Sequence, residues 1–270
     1  MRNRVITAIF FVIAMLGGVY ASPYTFVALF GIITGTCLWE FYRIATVSGV
    51  VRLTLSILLG MTPYLIVALF QLTSIDAETS TLIVILLLFL PIIFLFFLYE
   101  LFSASERPFH NIASVTLGIL YIGVPFTLLE WIALDRGYQP NLIAGLLLLN
   151  WANDTAAYLF GSRIGKHLLL PRISPKKTWE GTLSGIGVTL VSGVAAGFIF
   201  PELSPVNWLV ISAIIGVFGS LGDLIESMFK RGVQMKDSGR LLPGHGGLLD
   251  RFDGFIFMLP FSTAYLLTVQ

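Results

Sequence analysis

Charge is what this sequence has least of. Only 11% of its 270 residues are Asp, Glu, Lys or Arg, against 56% hydrophobic, whereas a soluble domain carries about 25% charged residues. With a mean hydropathy of +0.89, an ordinary water-soluble fold is excluded. Long polar stretches are also missing, so a single membrane anchor on a soluble domain is excluded as well. Cysteine is limited to Cys37, which lies in an apolar run. That rules out an internal disulfide and a multi-thiolate metal site. A net charge of +1 with no basic stripe gives no sign of a nucleic-acid partner. No repeat of fixed period and no Pro-rich or Ser-rich linker marks a domain boundary.

What the chain has in abundance is apolar runs. Taking about 17 to 25 residues per membrane crossing, the sequence predicts an all-α polytopic membrane protein of about nine transmembrane helices. They run roughly over 5–20, 24–39, 51–72, 81–101, 112–134, 142–160, 182–200, 208–229 and 252–267. The first run also has the character of a signal peptide, with Arg2 and Arg4 ahead of it and Val19-Tyr20-Ala21 resembling a cleavage site. An uncleaved first span serves a multispanning protein equally well. With the amino terminus in the cytoplasm, only Arg136 of the sixteen Lys and Arg residues falls outside. This positive-inside bias predicts a multi-pass protein of the cell membrane with its carboxyl terminus outside.

The inner connections are unequal. Residues 161–181 carry Arg163, Lys166, Arg172, Lys176 and Lys177, and residues 230–251 carry Lys230, Arg231, Lys236, Arg240 and Arg251. Residues 1–141 therefore read as transmembrane scaffold and 142–270 as the half that holds a site, within one structural unit. Two spans in that half contain charges that a bilayer disfavours. Asn150, Asn153 and Asp154 stand at i, i+3 and i+4, and Asp223, Glu226 and Ser227 repeat the spacing, so each helix has one polar face. Three ionised carboxylates near helix centres would together cost on the order of 8 to 10 kcal/mol. One account places them near the interface, wetted or paired with Arg and Lys. The sharper account is a polar cavity open to the cytoplasm, whose carboxylates hold a divalent cation. A hard cation such as Mg²⁺ needs only one or two carboxylates together with substrate phosphate oxygens.

The neighbouring segments carry what a phosphate-bearing substrate would need. Ser174, Lys176 and Lys177 precede a helix start, a ready anion site, although the two lysines serve equally well as topology markers. Pro243 to Gly247 is expected to turn, with Gly246 and Gly247 beside His245 allowing close backbone approach to a ligand. Asp250 and Asp253 follow at i and i+3, able to reach a metal shared with Asp223. Asp253 reads alternatively as a helix-start residue or a partner for Arg251. The stretch from Gly161 to His167 falls one residue short of a phosphate loop and is not one. Gly181 with Gly185, and Gly193 with Gly197, match Gly-x-x-x-Gly, which indicates close helix packing or a homodimer face.

Residues 227–253 fit Ser-x-hydrophobic-Lys-Arg-x-x-x-x-Lys-Asp-x-small-x-x-hydrophobic-Pro-x-His-Gly-Gly-hydrophobic-x-Asp-Arg-hydrophobic-Asp throughout. On these residues the chain resembles the bacterial CDP-diacylglycerol synthases, also called phosphatidate cytidylyltransferases. A second family-like stretch spans Asp154 to Gly161 and Ile173 to Gly181, with Thr155 and Ala156 where an apolar residue and Gly are usual. The resemblance is specific from about Asn150 onward and general in character before it. It implies transfer of a cytidylyl group from CTP to phosphatidate held in bilayer lipid, with Mg²⁺ required and a second cation left open. It also implies roles. Asp223 and Asp250 would bind the metal, with Glu226 and Asp253 as further or alternate ligands. Lys230, Arg231, Lys236 and Arg251 would hold triphosphate or the lipid head, and Ser174, Lys176 and Lys177 the other anion. Gly246 and Gly247 would border the nucleotide, and His245 would assist the departing pyrophosphate or stabilise the turn. The alternatives are a cytidylyltransferase for another membrane lipid phosphate, and a secondary transporter. The latter predicts broken helices at matching positions of two repeats, which the sequence does not show.

Overall fold

Runs of Leu, Ile, Phe and Val become helices here because, away from water, each backbone N–H and C=O must be satisfied within its own segment. The computed structural model describes residues 2–73, 79–239, 241 and 246–269. Among the described residues nine helical rods follow one another. They are α1 (Arg2–Ala21), α2 (Pro23–Ile44), α3 (Val50–Leu72), α4 (Thr79–Phe102), α5 with α6 (Pro108–Gly118 and Val124–Leu134), α7 (Pro140–Ile164), α8 (Trp179–Ile199), α9 with α10 (Pro205–Ile214 and Ser220–Gly232) and α11 (Leu249–Val269). Within the fifth and eighth rods the two α-helices are continuous through π-helical turns at Ile119–Gly123 and Ile215–Gly219. Six rods are long and apolar enough to cross a membrane, the build of a polytopic helical membrane protein. Pro23, Pro108, Pro140 and Pro205 open their helices where the missing N–H costs nothing. Ser22, Thr178 and Ser204 cap α2, α8 and α9 by accepting from the N–H of Thr25, Gly181 and Asn207.

The all-helical expectation needs one amendment. Between α7 and α8, where the sequence reads as a loop, β1 (Leu168–Leu170) and β2 (Ser174–Thr178) pair antiparallel, Leu168 opposite Thr178 and Leu170 opposite Ser174. A second difference concerns α2, which continues past Trp39 to Ile44 and carries Glu40 into a buried position. Glu40 counts against an apolar run, so hydropathy ends the span at Trp39, five residues before the helix ends at Ile44; hydrogen bonds described below explain why the helix does not end there.

The chain divides into two compact units. One comprises residues 1–135 with 238–249, the other 136–237 with 250–270. In the first, the fully buried rings of Phe26, Phe30 and Phe126 lie beside Tyr64, whose hydroxyl donates to the carbonyl of Val27 at 2.8 Å. Tyr42 is equally buried and donates to the carbonyl of Val115 at 3.2 Å. Arg52 on α3 pairs with Glu100 on α4 at 2.5 Å, and Asn111 donates to the second oxygen of Glu100 at 3.0 Å.

In the second unit α8 packs closely on α7 and α9 through its glycines. A Cβ on Gly181 would meet the Ala157 carbonyl oxygen at 2.8 Å and Gly161 Cα at 2.9 Å, and one on Gly185 the Asn153 side-chain oxygen at 2.8 Å. Gly193 faces Ser212 and the Trp208 carbonyl, and Gly197 faces Pro205. Both Gly-x-x-x-Gly pairs, read as packing or dimer motifs, are therefore used within the chain. Trp208, fully buried, lies against Gly145 and donates to the carbonyl of Phe200 at 3.1 Å.

Candidate active site

The second unit brings Lys177, Lys230 and Arg251 to one set of carboxylates. The hairpin is closed at its base by Glu180 in the first turn of α8, which accepts from the backbone N–H of Lys166 at 3.0 Å and of His167 at 3.1 Å. The His167 ring meets the same carboxylate at 2.5 Å, and the Trp179 N–H donates to the His167 carbonyl at 2.9 Å. So anchored, β2 delivers Lys177 to Asp223 of α10. Its ammonium lies 2.6 Å from the Asp223 carboxylate and 3.4 Å from the Ser220 carbonyl. The Arg231 guanidinium of α10 reaches back to the Ile173 carbonyl at 3.4 Å and to that of Met235 at 3.0 Å.

Two turns of α10 beyond Asp223, Lys230 bridges two acids. Its ammonium is 2.8 Å from Glu226 on its own helix and 2.6 Å from Asp250 in the first turn of α11. All three side chains are at most 9% exposed. Asp223, Glu226 and Lys230 share one face because helical neighbours recur at three and four residues. Ser227 donates to Asp223 at 3.3 Å. On α7, Asn150 donates to Asp154 at 3.4 Å and Asn153 to Ser220 at 3.2 Å. Asp154 interacts electrostatically with Asp223, Lys177 and Arg251, and Asp253 with Asp223, Glu226 and Asp154. Five carboxylates from three helices thus share one neighbourhood with Lys177, Lys230 and Arg251.

Among the residues singled out from sequence, the structure brings together Lys177, Asp223, Glu226, Lys230, Asp250, Arg251 and Asp253. Ser174 stands at the start of β2, opposite Leu170. Lys176 and Lys236 are exposed. Gly246 has φ +84°, a left-handed conformation that favours glycine, and Gly247 is buried; both lie with the first unit, as residues 238–249 do. His245 lies outside the described residues.

Among the described residues no group of three or more His, Cys, Asp or Glu side chains is placed to hold a metal ion by itself. Hard oxygen donors are nevertheless available. Glu226 Oε1, Asn150 Oδ1 and Asn153 Oδ1 are buried without a hydrogen-bond partner. Such oxygens fit an open site for a hard divalent cation, which takes its remaining ligands from substrate and water.

Sequence reasoning passed over Glu40. It is 1% exposed in the first unit, and its Oε2 accepts from the Leu249 N–H at 2.8 Å and from the Ser238 hydroxyl at 3.1 Å. The available signal was a carboxylate standing inside an apolar run.

A family model described as the cytidylyltransferase family matches residues 2–269. A Staphylococcus saprophyticus protein named phosphatidate cytidylyltransferase is 41% identical over 178 residues, 65% of this chain and 67% of its own length. Proteins of the same name from Staphylococcus haemolyticus and Staphylococcus aureus are 39% and 40% identical over 176 and 171 residues. These two alignments cover 64% and 63% of this chain and 66% and 64% of the relatives. The alignments thus span about two thirds of the length of the curated relatives. With a match over nearly its whole length, the chain belongs to the cytidylyltransferase family.

Proposed function

We propose that this protein transfers the cytidylyl group of CTP to phosphatidate, giving CDP-diacylglycerol and pyrophosphate. The observation that carries the proposal is the pairing of lysines with carboxylates in the second unit, Lys177 with Asp223 and Lys230 with Glu226 and Asp250. Two polyanionic substrates need cations beside them, and a metal-bridged triphosphate needs carboxylates. This arrangement supplies both on a few turns of α10, α11 and β2.

The lipid phosphate monoester is the nucleophile. One of its oxygens attacks the α-phosphorus of CTP, a P–O bond forms, and the bond to the bridging oxygen of pyrophosphate breaks. The nucleophile is already anionic at neutral pH, so no strong general base is required. Catalysis then rests on positioning and on neutralising charge as it moves to the leaving group. Lys230, Arg231, Lys236 and Arg251 hold one phosphate group in this reading, and Ser174, Lys176 and Lys177 the other. Gly246 and Gly247 border the nucleotide, and His245 assists the departing pyrophosphate. Asp223 and Asp250 would hold Mg²⁺, with Glu226 and Asp253 beside them. The cation, when bound, neutralises triphosphate charge.

The same reading makes residues 1–141 the scaffold and 142–270 the catalytic half. Nine spans with the amino terminus inside place the site in a polar cavity facing the cytoplasm, where CTP is found, while the acyl chains of the other substrate stay in the bilayer. A membrane-impermeant amine reagent that modified Lys236 only from the outer face would refute this orientation. Purified protein supplied with CTP, Mg²⁺ and phosphatidate should release pyrophosphate in a lipid-dependent manner. No such release across a range of detergents and vesicles would overturn the assignment.

A further inference from the structure

Glu40 belongs to α2, far in sequence from every residue of the family signature, yet Ser238, Gly239, Gly247 and Leu249 of that signature lie against it. Its Oε2 is the acceptor for both the Ser238 hydroxyl, at 3.1 Å, and the Leu249 N–H, at 2.8 Å. The second of these satisfies one of the free N–H groups at the start of α11, where a carboxylate is also favoured by the helix dipole. Gly239 and Gly247 of this segment leave no room beyond what Glu40 occupies. A Cβ on Gly239 would collide with the Glu40 carboxylate, the nearest atoms all belonging to that side chain, and one on Gly247 would lie 2.5 Å from its Oε2. Ser238, Gly247 and Leu249 are buried with it. Asp250 follows Leu249 directly in the chain.

We infer that Glu40 is a positioning residue for this part of the signature, holding Ser238 and Leu249 and, through the first turn of α11, the direction from which Asp250 enters the site. It acts through the loop, not on substrate. The inference rests on the proposed cytidylyl transfer, because its effect is read in that reaction. A carboxylate in an apolar span is costly, and its retention at this position is explained by two buried donors that an apolar residue would strand.

The test compares Glu40→Leu, Glu40→Gln and the pair Gly239→Ala with Glu40→Ala, in full-length protein purified in detergent and shown folded by gel filtration. Glu40→Leu should lower kcat by about tenfold to a hundredfold, the range expected when reacting groups shift by about 1 Å, with KM for phosphatidate unchanged. Glu40→Gln should recover to within about threefold, because one amide oxygen in the Oε2 position serves both donors. Gly239→Ala should be deleterious alone but add little to Glu40→Ala, since the carboxylate it strikes is gone. Wild-type kcat in folded Glu40→Leu, failure of Glu40→Gln to recover, or multiplicative effects of Gly239→Ala and Glu40→Ala would each overturn the inference. If Glu40→Leu does not accumulate as folded protein, the Gln variant and the alanine pair decide. Absence of CTP-dependent turnover in the wild type would instead refute the proposed function.

Discussion

Replacing Lys230 with Met deletes the ammonium that two buried carboxylates share. The ammonium lies 2.8 Å from Glu226 and 2.6 Å from Asp250, with none of the three side chains more than 9% exposed. At these separations and an effective dielectric constant of about 20, each attraction is worth about 6 kcal/mol before solvation is counted. Desolvating three charged groups offsets most of that sum, so the intact cluster contributes little net stability. Breaking it is different, because both acids stay buried after losing the ammonium they share, at a cost of about 3 to 5 kcal/mol. For a protein of this size that corresponds to a fall in Tm of roughly 6 to 20 °C. Thermal unfolding in detergent, followed by intrinsic fluorescence, measures it directly. Adding Glu226→Gln to Lys230→Met should restore part of the loss, since one of the buried charges is then removed. A Tm for Lys230→Met within about 2 °C of wild type would refute the reasoning, and would mean that Lys230 serves substrate alone and that the acids find other partners.

Two further outcomes follow from packing and burial. Gly185→Val should destabilise the second unit by about 1 to 3 kcal/mol, because a Cβ there would lie 2.8 Å from the Asn153 side-chain oxygen, whereas Gly187→Val, with nothing within 4 Å, should be tolerated; equal Tm values for the two variants would remove the α7 to α8 contact as the cause. Glu130 on α6 is fully buried with neither carboxylate oxygen hydrogen-bonded. Glu130→Met should therefore raise stability by about 1 to 3 kcal/mol, and a lowered Tm would show that the carboxyl has a partner.

The helices are legible in the sequence because a bilayer prescribes span length and an apolar surface, and composition alone reports both. The face of Asp223, Glu226 and Lys230 is legible because helical periodicity is local. What the sequence conceals is every contact that joins distant elements. Lys177 meets Asp223 only because Glu180 closes a hairpin whose second strand, with a proline and two lysines, reads as a loop. Asp250 meets Lys230 at a separation of 20 residues. Glu40 meets Leu249 at a separation of 209 residues. Hydropathy treats Glu40 as the end of a span, although the residue is inside the helix and the donors that justify it lie near the other end of the chain. Asp154, Asp223 and Glu226 are visible as charges inside apolar spans, and Asp250 and Asp253 as acids able to share a site with Asp223; their pairing with Lys177 and Lys230 is not visible.

The π-helical turn at Ile215–Gly219 gives the eighth rod a property that no single side chain reveals. The turn takes up one residue more than regular α winding, so a single 3.6-residue periodicity cannot be carried from α9 into α10: the sequence phase slips by about 100° there. The surplus residue is absorbed where it stands. Deleting one residue from Ile215–Gly219 would let the turn close to ordinary α-helix and leave the stripe of Asp223, Glu226 and Lys230 facing as before. A further residue inserted into the regular winding of α10 before Asp223 has no such turn to absorb it and would rotate the stripe by about a quarter of a revolution. The winding of the helix is thus itself a determinant of the site.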